Sequence, residues 1–159
     1  MDVSAMFKIN CGLFLAGVTT DKPTGCIINT VMQVGHSPLK CSLTMSQDHY
    51  THSQILQAGS LAITTFSKQV RPDIIKRFGF TSGKVTDKFQ DIAYELDSQG
   101  NPYLLGEYVS AVFALTLSSK MDIDGGYTIF LCDVKDAVKS EGDSITYGEY
   151  LENVKKKIF

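Results

Sequence analysis

Short apolar segments recur along the chain, separated by turn residues. "GLFLAGVTT", "GCIINTVMQV", "LKCSLTMS" and "SLAITTFS" are rich in β-branched and apolar side chains, the composition of strands in a packed sheet. Pro23 and Gly25 in "TDKPTG" predict a hairpin loop between the first two. "GHSP" predicts another loop before the third, because Pro38 cannot donate to a central ladder. Further on, "IAYELD", "YVSAVFALTLSSK" and "YTIFLCDVKDAVKS" continue the strand pattern, with turns at "SQGNP" and "DIDGG". Asp124-Gly125 between two strand-like runs is a strong hairpin signal.

Helical periodicity is confined to two places. In "THSQILQAG", Thr51 and Gln54 fit a capping box and Gly59 a left-handed stop. In "RPDIIKRFG", Pro72 occupies the first helical position and Ile74, Ile75 and Phe78 form one stripe. The ending "SITYGEYLENVKKKIF" shows no clear period and reads as a partly ordered tail with solvated lysines. Many short strands and few helices predict a mainly β fold, an antiparallel barrel closed or partly closed, as one domain over residues 1–159. The strand–helix alternation of a doubly wound sheet is missing.

Composition narrows the function. Fifteen basic and 17 acidic residues leave a net charge of −2, which gives no broad footprint for nucleic acid or an anionic membrane. No apolar run is long enough to span a bilayer, and the N-terminus lacks the pattern of a secretory signal. Cys11, Cys26, Cys41 and Cys132 are dispersed among apolar residues, so they read as reduced core thiols of a cytoplasmic protein rather than metal ligands. His36, His49 and His52 fall in loops near one another, a weak metal signal beside the commoner surface role. "GFTSGKV" misses the P-loop spacing and has Val85 where a hydroxyl is required. No G-x-G-x-x-G is present.

One stretch resists a purely structural reading. "SQDHYTHSQ" gathers hydroxyls and two histidines at a helix start. Such a start presents unpaired N–H groups and the positive end of a dipole, and so binds phosphate. Ser46, Thr51, His52 and Ser53 could supply donors, with Lys84 or Lys88 adding charge from the later loop. A helix cap by Thr51 alone is the competing account.

The runs "GCIINTVMQVGHSP", "SQDHYTHSQIL" and "RFGFTSGKVTDKF" together resemble the flavin reductase-like, FMN-binding split-barrel family. The resemblance is closest to the flavoprotein module of high-molecular-weight rubredoxins and runs from Phe7 to Tyr150. It implies a homodimer of split barrels, each binding FMN. By the same resemblance Asn29, Thr30 and Val31 contact the isoalloxazine, with Gln33 a weaker candidate. Ser46, Tyr50, Thr51 and His52 match the phosphate turn, and Lys84, Lys88 and Phe89 the loop closing on the flavin. Electrons would pass from NAD(P)H through FMN to rubredoxin, a flavodiiron protein or free flavin. Related reductases carry a histidine in the last hairpin, in a pattern resembling G-x-H-x-x-F; here "GGYTIF" places Tyr127 there. That departure keeps open an electron-carrying FMN protein without NAD(P)H turnover of its own. No rubredoxin-type C-x-x-C pair is present, so an iron partner would be a separate protein.

Overall fold

In the computed structural model, which describes residues 1–159, strand alternation divides the interior into two hydrophobic clusters. On β1 (Phe14–Thr19), Ala16 and Val18 face one cluster, while Leu15 and the preceding Leu13 face the other. The first cluster fills the barrel with Leu43, Met45, Ile63, Leu115 and Phe130. The second lies outside it, between the sheet, helix α2 (Pro72–Gly79) and the C-terminal segment. Strand β5 (Ser60–Phe66) is buried along its whole length because both faces are covered.

The other long strands are β2 (Pro23–Ile28), β3 (Val31–His36), β4 (Leu39–Ser46), β8 (Val109–Ile123) and β9 (Tyr127–Lys139). A small hairpin, β6 (Tyr94–Leu96) and β7 (Pro102–Leu104), sits apart. The main sheet is antiparallel in the order β2-β1-β5-β8-β9-β4-β3. Its two edges, β2 and β3, are consecutive in the chain and joined only by Asn29 and Thr30. The sheet therefore curls on itself with an unpaired seam between β2 and the β3–β4 edge. Across that seam Cys26 on β2 lies 3.9 Å, sulfur to sulfur, from Met45 on β4. This is a split barrel, and no helix is long and apolar enough to cross a membrane.

Several sequence expectations change in detail. "GCIINTVMQV" is two strands, because the chain must turn from one edge of the seam to the other. The first hairpin is tighter than "TDKPTG" suggests: Thr19 already pairs with Pro23. Helix α1 (Tyr50–Ala58) begins two residues early, with His49 rather than Thr51 at its N-cap and no side-chain cap. Thr51 and Gln54 thus form no capping box; Gln54 accepts from Thr20 instead. Gly59 does end the helix in the left-handed conformation, at φ 71°. The expected loose tail is helical. Thr146 and Glu149 form a capping box, and Tyr150, Val154 and Ile158, four residues apart, are buried against the outer cluster.

Candidate flavin site

Helix α1 opens onto a cavity of about 200 Å³ between its first turn and the loop that follows α2. Its walls are Asp48 to Thr51 on one side, Phe78, Gly79 and Thr81 to Gly83 on the other, with Cys26 and Lys88 between. The first backbone N–H groups of a helix have no intrahelical partner, and His49 supplies no side-chain acceptor for them here. The His52 N–H turns back to the His49 carbonyl at 3.0 Å, and those of Tyr50 and Thr51 remain available at the positive end of the helix dipole.

The later loop is seated on the barrel by two contacts. Lys88 is only 3% exposed, and its Nζ donates to the carbonyl oxygens of Gly25 (2.8 Å) and Phe78 (3.1 Å). No carboxylate lies within ion-pairing distance of it. Burial lowers its pKa, the expected direction for a desolvated ammonium without a counter-charge. Gly83 is the second contact: a Cβ there would lie 2.0 Å from Thr24 Oγ1. That hydroxyl is itself buried and without a hydrogen-bond partner. Cys26 also lines the cavity, and burial pushes its thiol up to about 11.

An unpaired buried cation, uncapped helix amides and the Ser82 and Thr51 hydroxyls make a donor-rich cradle. A phosphate dianion satisfies all of these groups at once. Asp48 on the rim is the one acid in the lining. The residues present therefore fit the phosphate end of a flavin.

The predicted site residues fall into several groups. Tyr50, Thr51 and Lys88 meet in this cavity. Lys84 stays exposed, its backbone N–H bonded to Ser82 Oγ at 3.2 Å. Phe89 is core, edge-on to Phe78 and Tyr94 with ring centroids 5.0 and 4.9 Å away. His52 turns away, with Nε2 2.8 Å from Thr128 Oγ1 and its ring 5.3 Å from Phe130. Thr128 in turn donates to Asp122 Oδ1 at 2.7 Å, so it must accept from His52, which fixes the proton on Nε2. Ser46 accepts from the Asp48 N–H and pairs across the ladder with Tyr127. Asn29 accepts from Thr30 Oγ1 at 2.9 Å and lines a second cavity, of about 240 Å³, which shares Gly79 with the first. Val31 and Gln33 face a different, apolar groove at the open end of the barrel. Sequence reading missed Gly79, Ser82 and Gly83. They belong to a segment whose glycine spacing excludes a nucleoside-triphosphate loop, and nothing local in it marks its hydroxyls as lining a cavity.

Known proteins share this fold. Residues 9–153 match the family described as flavin reductase like domain. A high molecular weight rubredoxin of Moorella thermoacetica is 31% identical over 152 residues, 94% of this chain and 66% of its own length. A ferric-chelate reductase (NAD(P)H) of Archaeoglobus fulgidus is 27% identical over 152 residues, 94% of this chain and 89% of its own. The fold matches that of an FMN-binding protein from Thermus thermophilus, with TM-score 0.74 and 20% identity over 82% of this chain and 73% of that one. It also matches an NADH:FAD oxidoreductase of Streptomyces globisporus, with TM-score 0.75 and 18% identity over 87% and 84%. With its split barrel and phosphate-fitting helix start, the chain belongs to the flavin reductase like family, a family of flavin-binding oxidoreductases.

Proposed function

We propose that the protein binds FMN and passes electrons from NAD(P)H to a redox acceptor. The observation that carries this reading is the Lys88 ammonium, buried without an acid partner beside the uncapped start of α1. Tyr50, Thr51, Ser82 and Lys88 would hold the phosphate, and the groove past Gly79 to Asn29 would take the ribityl chain and ring. When bound, the flavin supplies the redox chemistry. The chain supplies binding, orientation and the local field. FMN rather than FAD is favoured because a terminal phosphate dianion carries more charge for the buried Lys88 ammonium and the start of α1 than a diphosphate ester does at either phosphate. Thr30, bonded to Asn29, would support that groove, Phe89 would back the cradle through Phe78, and Lys84 would steady the Ser82 turn, whereas Val31, Ser46 and His52, which face elsewhere, would act only through the fold.

Rubredoxin, a flavodiiron protein or free flavin are the acceptors we consider. The rubredoxin assignment draws on the Moorella relative, of which this chain spans 66%. NAD(P)H as donor draws on the Archaeoglobus relative's name. We assign the working form as a cytoplasmic homodimer. The apolar groove of about 400 Å³ at the barrel's open end and the exposed Met32 and Val34 on edge strand β3 support pairing. Four free thiols suit a reducing compartment.

A second reading, an FMN electron carrier with no NAD(P)H turnover, is favoured by one observation. Tyr127, 46% exposed, stands opposite Ser46 where related reductases place histidine. The visible spectrum of the purified protein and the mass of its released chromophore test the cofactor. A colourless protein that fails to bind added FMN overturns both readings. Steady-state NADH oxidation with added rubredoxin separates them, because the carrier would turn over no faster than free FMN.

A further inference from the structure

The groove does not end at Asn29. Asn29 and Tyr147 are shared between the second cavity and a third, of about 220 Å³. This third cavity lies between the N-terminal 3-10 helix (Val3–Lys8) and the C-terminal segment. The two chain ends are held side by side: the Tyr147 N–H donates to the Cys11 carbonyl at 2.7 Å, and Gly12 bridges to Thr146. The 3-10 helix buries none of its own residues, and Met6, Phe7 and Ile9 stay 58–65% exposed. Apolar side chains of this size left beside a cavity are what a ligand would cover.

The lining defines the ligand. Phe7, Ile9, Tyr147 and Leu151 give flat apolar walls, and no lining side chain carries a charge. Two amides in the lining have free donors. Asn10 makes no side-chain hydrogen bond, and Asn29 uses only its Oδ1, leaving Nδ2 unpaired. A site with no cation gives nothing to the phosphates of a dinucleotide, whereas amide donors among apolar walls suit carbonyl oxygens on a planar ring.

We infer that this third cavity is the subsite for a neutral, planar carbonyl acceptor of the quinone class, bound next to the ring end of the flavin groove. The inference rests on the proposed flavin reading for its redox role but not for its binding role. In turnover, NAD(P)H gives up two electrons and one proton, solvent gives the second proton, and the two quinone carbonyls become hydroxyls.

The test is isothermal titration of 1,4-naphthoquinone into the 159-residue protein, with and without bound FMN and with no reductant present. The probe should bind at one saturable site in the wild type. A Phe7→Ser/Ile9→Ser variant alters only exposed side chains, so its melting temperature and FMN affinity should be unchanged, while its quinone affinity falls at least about tenfold. The 2-sulfonate of the same quinone should bind more weakly than the neutral compound, since no cation awaits it. Absence of saturable binding, equal affinity in the variant, or tighter binding of the sulfonate would each overturn the inference. Failure to take up FMN would sink the flavin reading alone, because quinone binding to the flavin-free protein is measured separately.

Discussion

Gly83 stands so close to Thr24 that a β-carbon on it would lie 2.0 Å from the threonine Oγ1. The loop after α2 can therefore rest on β2 only with glycine at this position. Replacing Gly83 by Ala should push the loop outward and open the phosphate cradle. FMN affinity, read by quenching of flavin fluorescence, should fall at least about tenfold. Thr24→Ala removes the nearest atom, so the double variant should recover part of the loss. Strictly additive effects would show that the two residues do not meet.

Lys88 carries the strongest prediction. Its charge is buried without an acid partner, so Lys88→Met should weaken FMN binding about a hundredfold, ~2.7 kcal/mol. The pH dependence follows from burial, which lowers its pKa from 10.5 in the flavin-free fold. Between that lowered value and 10.5 the unfolded chain holds a proton that the fold has released, so flavin-free stability rises with pH there. A bound phosphate reverses the preference by holding the proton on Nζ. FMN affinity should therefore fall as pH rises through the same window, and Lys88→Met should abolish that slope. A slope that persists in the variant would assign it to another group.

Much of this arrangement was legible in the sequence, and the remainder has identifiable causes. Strands β4 and β5 sit where the β-branched and apolar runs put them, because strand composition is written locally. Thr51 and Lys88 were readable from a helix start and a lysine-bearing loop, Tyr50 only from the family resemblance. Gly83 and Ser82 were not, because what seats that loop is Lys88 bonding to carbonyls of β2 and α2, contacts that local pattern does not encode. The C-terminal helix was hidden differently. Tyr150, Val154 and Ile158 keep a four-residue spacing, but the stripe is one residue wide, three lysines interrupt it, and the backbone shifts from α to π to 3-10 along it.

His52 offers a prediction about stability rather than binding. It holds Thr128, which holds Asp122, at distances of 2.8 and 2.7 Å. His52→Phe should cost about 1 kcal/mol by removing the shorter of the two donors to Thr128, Gln47 Nε2 at 3.3 Å being the other, with a smaller effect on FMN affinity than Thr51→Val. Burial lowers the His52 pKa below 6.5, so the neutral ring is the one that folds. Stability should hold above 6.5 and decline as pH falls from 6.5 toward the lowered value, where the unfolded chain takes up the proton first. Chemical unfolding at stepped pH, compared between wild type and His52→Phe, measures this, and an identical acid slope in both would count against it.

Tyr127 tests the donor. It faces solvent beside the β8–β9 turn, where Gly125 and Gly126 adopt φ of 94° and 81°, and its register partner is Ser46. Its side chain is 46% exposed, so Tyr127→His should leave the melting temperature nearly unchanged. If the missing histidine is what limits use of the nicotinamide, the variant should oxidise NADH at least about tenfold faster than wild type, ~1.4 kcal/mol of barrier, at unchanged FMN affinity. An unchanged rate together with an already fast wild type would mean that Tyr127 itself serves the donor side. An unchanged rate with a slow wild type would instead favour the electron-carrier reading, because restoring the side chain would then have restored nothing.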